Sequence, residues 1–346
     1  MKSRFVAAFL LALPLVAQDD SVILVNGTKV EGVKVTSFDI RELKYSKGGG
    51  TQSVPTDQVA KVMLAKFNDV FRLGLKDADL MLTKSREQLE EKNPLMAQLG
   101  FISAANQFFD QNKPSEGSGA LDELKKALPE AGTIPDSYRL KFEYYMGLGP
   151  NGAANALALA KKYQADAAGN AWPAGLGVEA EFFVALAEGA AGGNPKDFQN
   201  KLRTVASKAQ ATNPIVSNRA NVQLANSLRE TKDLDAARRI YEDLAKRDGM
   251  DQVSRAGAML GLGEIALEEA GSDKDKARAA LMMFLRVRLE TRDAWPSQHA
   301  EAMYYAIKAA DKWRGSDFQY VMARCRGVLY NDFGSTEWAS KARAGH

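Results

Sequence analysis

The chain has 346 residues, of which 45% are hydrophobic, enough apolar material to bury more than one structural unit. Its 46 Lys and Arg side chains are nearly balanced by 43 Asp and Glu side chains, which leaves a formal net charge of +3 at pH 7. The composition argues against a disordered chain. The small net charge argues against nucleic acid or an anionic membrane surface as the main partner.

The first 17 residues have the layout of a secretory signal peptide. Lys2 and Arg4 precede the apolar stretch 5–13, and small residues around Ala17 provide a cleavage region. The apolar stretch is shorter than the roughly 20 residues that span a bilayer. We therefore expect an exported protein that is periplasmic or extracellular, soluble after cleavage and without a transmembrane span. The alternative is a buried N-terminal helix.

Residues 18–64 are rich in Val, Ile, Thr and Tyr, which predicts short strands joined by turns. Asn26-Gly27 predicts a tight hairpin turn, because both residues of such a turn adopt positive φ. In the second strand, 29–36, the alternation of valines breaks at Gly32. A bulge or sharp bend at Gly32 is expected, since it restores the phase of the strand.

The order of an apolar strand, Asn-Gly and a bent strand with Gly, followed by two hairpins, resembles the Sm-like small barrels of bacterial envelope proteins. The resemblance implies that residues 18–64 form a small closed β-barrel domain. Some such barrels bind RNA, which requires clustered basic and aromatic side chains. Here basic and acidic residues are interleaved, and Phe38 and Tyr45 are the only aromatic residues of the segment. A solvated strand face is therefore favoured over an RNA site.

Residues 65–346 have helical periodicity throughout, and the clearest unit is 219–249. Its characteristic small and large positions are Leu224, Ala225 and Leu228 in the first helix and Ala237 and Tyr241 in the second. The unit resembles the tetratricopeptide repeat (TPR), a helical hairpin of about 34 residues. Such hairpins stack because one hairpin cannot bury its own apolar face. The predicted fold class is mainly α, a TPR-like helical-hairpin solenoid preceded by a small β-barrel domain.

The tripeptide Ala-Trp-Pro occurs twice, ending at Pro173 and Pro296. Proline is favoured in the first turn of a helix, so each is predicted to begin a helix, with Trp172 or Trp295 packing back over it. The separation of 123 positions corresponds to three hairpins of about 41 residues each. The predicted hairpins lie near 137–164, 175–211, 218–247, 255–290 and 298–331, after a leading helix at 66–92 and a pair at 95–129.

The end of the chain also carries a resemblance. Ser335, Trp338 and Ala339 follow one another as in the ending after the last repeat of bacterial envelope TPR proteins, which include outer-membrane assembly factors and cell-division coordinators. Gly334 stands where those proteins usually have proline. This resemblance implies a scaffold of the bacterial cell envelope.

Residue types that carry catalysis or bind metals are scarce. His299 and His346 are the only histidines, which argues against a multi-histidine metal site and against a histidine general base. Cys325 is the single cysteine, and its place in a helical apolar pattern predicts core packing. The Gly-Leu-Gly at 261–263 lies within a helical pattern and predicts close helix packing, not a dinucleotide site. We expect neither enzymatic activity nor a cofactor.

In TPR arrays the first helix of each hairpin lines the concave groove. The resemblance places Arg219, Asn226 and Arg229 on that stripe, and two guanidiniums flanking an amide are suited to hold a peptide carboxylate. The alternative is a solvated face with local ion pairs to Glu230 or Asp233. Arg219, Asn226 and Arg229 are therefore the predicted partner-binding residues.

Two functions follow as hypotheses. The first is a non-enzymatic protein-protein interaction scaffold in the bacterial envelope, which binds a peptide or a partner subunit in its helical groove. The second is a module that binds cell-wall or another polymer through the β domain, with the helices as a spacer. Aromatic side chains clustered on one face of the β domain would favour the second hypothesis.

Overall fold

The computed structural model describes residues 19–292, 294–334 and 336–345. Within these ranges the chain forms fifteen α-helices and one five-stranded sheet, so the mainly α fold class is confirmed. The predicted signal peptide, residues 1–17, lies outside the described residues. None of the helices in the described ranges is long and apolar enough to cross a bilayer.

The N-terminal sheet is open. Its strands are β1 Asp20–Leu24, β2 Lys29–Phe38, β3 Glu42–Lys47, β4 Gly50–Pro55 and β5 Val59–Met63. They pair antiparallel in the order β4-β3-β2-β1-β5, which leaves β4 and β5 as the two edges. Because these edges do not pair with each other in the described part of the chain, the prediction of a closed β-barrel is wrong.

A short turn connects the two edge strands. It is a 3-10 helix, Thr56–Gln58, that is held against the helical part of the chain. The buried Asp57 Oδ2 accepts a hydrogen bond of 2.8 Å from the backbone N–H of Gly175, and the Gln58 side chain donates to the carbonyl of Thr212. This turn therefore attaches the sheet to two of the helices, one at Gly175 and one at Thr212.

Gly32 forms the predicted bulge. Asp20 pairs with Val33 while Ser21 pairs with Glu31, so Gly32 is the extra residue between two successive pairs. Its φ of +67° lies in the left-handed region, which a glycine adopts without a Cβ clash. The bulge restores the alternation, and Val33 and Val35 both point into the core.

The Asn26-Gly27 turn joins β1 and β2 as predicted, but its geometry differs from a two-residue turn. Only Gly27 has positive φ, and the backbone N–H of Leu24 donates to the carbonyl of Thr28 at 2.9 Å. The Asn26 Oδ1 accepts a hydrogen bond of 2.9 Å from the backbone N–H of Thr28. This side-chain turn takes the place of the mirror-image turn that requires positive φ at both positions.

The predicted leading helix at 66–92 is interrupted. It consists of α1 Phe67–Val70, a 3-10 helix Gly74–Lys76 and α2 Ala78–Glu90. Asp77 caps α2 by accepting a hydrogen bond of 3.0 Å from the backbone N–H of Leu80, so a new helix starts there.

The following helices form six antiparallel hairpins in the described part of the chain, at the predicted places. They are α3 Pro94–Asp110 with α4 Pro114–Ala127, α5 Ile134–Gly147 with α6 Ala153–Gly169, α7 Ala174–Ala190 with α8 Pro195–Thr212, α9 Pro214–Glu230 with α10 Leu234–Lys246, α11 Gln252–Ala270 with α12 Lys274–Glu290, and α13 Pro296–Trp313 with α14 Phe318–Asp332. A short helix, α15 Glu337–Arg343, packs on α13 and α14. The first helices of neighbouring hairpins also contact each other, from α5 through α13, as in a helical solenoid.

Both Ala-Trp-Pro tripeptides begin helices, α7 and α13, as predicted, and three hairpins separate the two starts. Trp172 packs on the preceding hairpin, with its ring centroid 6.4 Å from that of Tyr138 and 6.2 Å from that of Tyr163. This aromatic residue therefore joins two hairpins.

Glycine and alanine at the helix contacts make room for large rings. Ala237 and Tyr241 of α10 are both fully buried. A Cβ at Gly261 of α11 would lie 2.2 Å from the Tyr241 ring, and one at Gly263 would lie 2.7 Å from the Phe284 ring. The prediction that the Gly-Leu-Gly segment serves helix packing is confirmed.

Candidate functional site

A cavity of about 240 Å³ opens where helices of three successive hairpins meet the last short helix. The polar and aromatic side chains that line it include Gln223, Asn226 and Arg229 of α9, Glu264 of α11, Glu301 of α13, Glu337 and Trp338 of α15, and Trp295 before α13. We call this cavity the α9–α15 groove. Two of the three residues predicted to bind a partner, Asn226 and Arg229, line it directly.

Arg229 is tied to the neighbouring hairpin. Its Nη1 donates a hydrogen bond of 2.8 Å to the Glu264 carboxylate, and the Glu264 side chain is only 8% exposed. Burial by itself would lower the pKa of Arg229, but the charge of Glu264 holds it above its usual value. The Nε of Arg229 is buried and has no acceptor within the described residues.

Asn226 is held by its neighbours as well. The hydroxyl of Tyr241 donates to its Oδ1, and its Nδ2 donates to Gln223 Oε1 at 3.4 Å. The orientation of this amide is therefore set by a buried ring of α10 and by its own helix.

Arg219 lies beside the same groove. Its Nε is 3.9 Å from Asp251 Oδ1, and its guanidinium carbon lies 5.2 Å from the centre of the Trp295 ring, which lines the cavity. The carboxylate partners of Arg219 and Arg229 are thus on the next hairpin, and the expected local pairs to Glu230 and Asp233 are replaced by pairs that cross between repeats. Both guanidiniums already have a carboxylate of their own chain.

The sequence interpretation missed the carboxyl groups of the groove. Its lining contains one guanidinium, Arg229, and three carboxyl groups, Glu264, Glu301 and Glu337. Glu264 pairs with Arg229, and Glu337 pairs with Lys341 at 3.1 Å. Glu301 has neither a hydrogen bond nor a salt bridge to any other described residue. The groove therefore carries an excess of acidic groups.

The surroundings in the groove raise the pKa values of two of these carboxyl groups. Burial, followed by the charge of Glu264, raises the pKa of Glu301 to about 8. Burial likewise raises the pKa of Glu264, although Arg229 opposes it. A single glutamate within an otherwise apolar helical run, as at 264 in Gly-Glu-Ile-Ala-Leu, is the sequence signal of such a position.

A second charged cluster joins α5 to α7. Arg139 binds Glu179 through Nε and Nη2, both at 2.9 Å, and binds Asp136 through Nη1 at 2.6 Å. The Tyr163 hydroxyl donates to Glu179 at 2.8 Å. Burial alone would lower the pKa of Arg139, yet its two carboxylates hold it well above its usual range. These contacts link α5, α6 and α7, so the cluster joins neighbouring hairpins.

Neither histidine nor cysteine forms a reactive site in the described part of the chain. Cys325 is buried in the core, as predicted, and burial raises its pKa to about 11. His299 is buried beside Phe333, and burial lowers its pKa. Among the described residues, no three His, Cys, Asp or Glu side chains are grouped so as to hold a metal ion.

The β domain offers little aromatic surface. Phe38 and Tyr45 are both buried in the core between the sheet and the first helices. On its surface Lys29 pairs with Glu31 and Lys44 pairs with Glu42. These are the contacts of a solvated strand face.

Comparison with known proteins identifies no family: no protein-family model matches the chain, and no curated protein matches it. The class of the protein is therefore defined by its architecture alone. It is a helical-hairpin array with a small open N-terminal sheet and a charged groove on the first helices of its last hairpins.

Proposed function

We propose that the protein is a non-enzymatic interaction scaffold of the bacterial cell envelope, and that it holds a peptide or a partner subunit in the α9–α15 groove. The observation that carries the proposal is the convergence of polar and aromatic side chains from separate hairpins on one open cavity. Stacked hairpins present such a surface along their length, which suits an extended segment.

The TPR-like assignment and the export of the protein belong to this proposal. The small and large positions of α9 and α10 support a TPR-like hairpin, because Ala225, Ala237 and Tyr241 are fully buried at the helix contact. The signal-peptide layout of residues 1–17 supports export, and the ending with Trp338 and Ala339 supports an envelope protein. Arg219, Asn226 and Arg229 are proposed as part of the partner-binding surface.

The buried aromatic side chains of the sheet favour this function over polymer binding by the β domain. A polymer reader needs exposed rings on which the ligand stacks, and Phe38 and Tyr45 are enclosed by the core. The sheet instead contacts the helices, for example where Gln98 Nε2 donates to the carbonyl of Phe38 at 3.1 Å.

Site-specific photocross-linking of the full protein in its native envelope tests the proposal. A photoreactive residue at Gln223, in the groove, is compared with one at Lys196, an exposed position of α8 outside it. A discrete protein captured from position 223 and absent from position 196 is the expected result. Equal products at both positions, or wall polymer without protein at position 223, would overturn the scaffold function.

A further inference from the structure

We infer that the segment bound in the α9–α15 groove is cationic, and that a lysine or arginine side chain enters the cavity with Glu301 as its counter-charge. The inference rests on the proposed scaffold function and specifies the chemistry of the partner. It differs from the sequence-based hypothesis, in which guanidiniums of this protein hold a carboxylate of the partner.

The charges of the cavity support a cationic partner. Arg229 and Glu264 neutralise each other at 2.8 Å, and Glu337 has Lys341. Glu301 feels the charges of Arg229 and Lys341 but forms no salt bridge or hydrogen bond with another described residue. Ionising a half-buried carboxyl that has no salt bridge is costly, and an incoming ammonium or guanidinium reduces that cost.

The guanidiniums are poorly placed for the opposite role. Arg229 donates to Glu264, whose side chain is only 8% exposed, so an incoming carboxylate would have to displace a buried carboxylate of the protein. It would also meet Glu301 in the same cavity. Once Glu301 is ionised, above its raised pKa of about 8, repulsion between like charges disfavours an acidic segment.

The walls suit a long basic side chain. Trp295 is 36% exposed, and Trp338 lines the cavity from α15. Each indole already attracts a cation of this chain: Arg219 lies 5.2 Å from the Trp295 ring and Lys341 lies 4.0 Å from the Trp338 ring. Indole surfaces bind both the apolar stem and the charged head of lysine and arginine.

The size and the arrangement of the acids distinguish a side chain from a metal ion. A volume of about 240 Å³ equals that of roughly eight water molecules, enough for a side chain and its hydration but not for a folded domain. Within the described residues the carboxyl groups do not converge as metal ligands. An organic cation on an extended segment is the ligand that matches both observations.

Proton linkage follows from the position of Glu301. The charged and titratable groups that face it are Arg229 on α9, Glu264 on α11, Tyr305 on α13, and Glu337 and Lys341 on α15. Because the pKa of Glu301 is raised to about 8, this carboxyl is mostly protonated at pH 6.5 in the free groove. A cationic ligand favours the ionised form, so its affinity rises with pH until Glu301 is ionised in the free protein.

The test uses the protein labelled with ¹⁵N at its four tryptophan indoles and titrated with short peptides. Trp295 and Trp338 report on the groove, while Trp172 and Trp313 serve as internal controls. The probes are alanine pentapeptides with a central lysine, Nε-acetyllysine or glutamate. We expect the lysine peptide to shift the two groove indoles selectively and to bind about tenfold more tightly at pH 8.5 than at pH 6.5.

Two variants complete the test. Glu301→Gln keeps the shape of the side chain. It is expected to weaken binding of the lysine peptide about tenfold at pH 8.5 and to abolish the pH dependence of that binding. Glu116→Gln, at an exposed position of α4, is expected to change neither the affinity for the lysine peptide nor its pH dependence. Groove shifts that are larger with the glutamate peptide, equal among the peptides, or absent with all of them would overturn the cationic assignment. The cross-linking at Gln223 decides the scaffold function separately.

Discussion

The guanidinium of Arg229 in α9 lies 2.8 Å from the carboxylate of Glu264 in α11, and this pair links two hairpins along one wall of the groove. The contact joins residues 35 positions apart. It neutralises the only guanidinium of the groove lining and leaves the adjacent Glu301 as an unpaired acid among the described residues. The same pair therefore contributes to the stacking of the array and to the charge that the groove presents.

Arg229→Met is expected to destabilise the protein by about 3 kcal/mol, because it leaves the buried Glu264 without its cation. Adding Glu264→Leu is expected to restore most of the lost stability. Urea denaturation followed by circular dichroism measures both. The matched control is Arg238→Met, which removes the more exposed pair with Glu269 and is expected to cost less than about 1 kcal/mol. Equal losses of stability in Arg229→Met and Arg238→Met would contradict the conclusion that burial of Glu264 makes its pair the more important one.

Gly261→Ala is expected to destabilise the protein by about 1–3 kcal/mol, because the new Cβ would lie 2.2 Å from the buried Tyr241 ring. Gly177→Ala in α7 is the matched control, since nothing lies within 4 Å of a Cβ at that position. At position 177 the higher helix propensity of alanine is expected to stabilise the protein by about 0.5–1 kcal/mol. Thermal unfolding of the two variants shows whether the effects have opposite signs.

We expect the docking of the sheet on the helices to depend on pH through Asp57. Burial raises its pKa above the usual range of a carboxyl, while the hydrogen bond from Gly175 opposes the shift. The folded state therefore binds the proton more tightly than the unfolded state, so this group stabilises more as the pH falls below the raised pKa. We expect the wild type to gain stability relative to Asp57→Asn between pH 7 and pH 4. Urea denaturation at the two pH values measures the difference in stability between the two proteins. A difference that does not change with pH would contradict a raised pKa for Asp57.

Cys325 is expected to be inert in the folded protein. Burial encloses the thiol and raises its pKa to about 11, so little thiolate is present or accessible at pH 8. Its reaction with a disulfide reagent at pH 8 is expected to be at least about a hundredfold slower in the native protein than in guanidinium chloride, because it requires opening of the core. A native rate close to the denatured rate would place the thiol outside the core.

Features that depend on neighbours in sequence were predicted well. The bulge at Gly32, the helix starts at Pro173 and Pro296 and the burial of Cys325 all follow from local patterns. These patterns suffice because backbone restrictions and helical spacing act over a few residues. The resemblance to TPR hairpins, not periodicity, placed Asn226 and Arg229 on one stripe, and both residues line the groove.

The predictions that failed concern contacts between distant segments. The barrel was expected to close, but β4 and β5 stay separate edges, and Asp57 in the turn between them is held by Gly175, 118 positions away. The interruption of the leading helix is the exception, since it comes from a local feature, the Asp77 cap of α2. Patterns of hydrophobicity do not encode which distant group a turn or a side chain meets.

The amino-acid sequence by itself determined the helical hairpins, their approximate positions and the small residues at their contacts, because helical periodicity and glycine conformation are local properties. Only the tertiary structure decided which carboxylate each arginine meets and which acid stays unpaired. Stacking of the hairpins brings Arg229 to Glu264 and encloses Glu301 beside them. The charge of the groove is therefore a product of long-range packing, since it depends on how repeats 35 or more residues apart align.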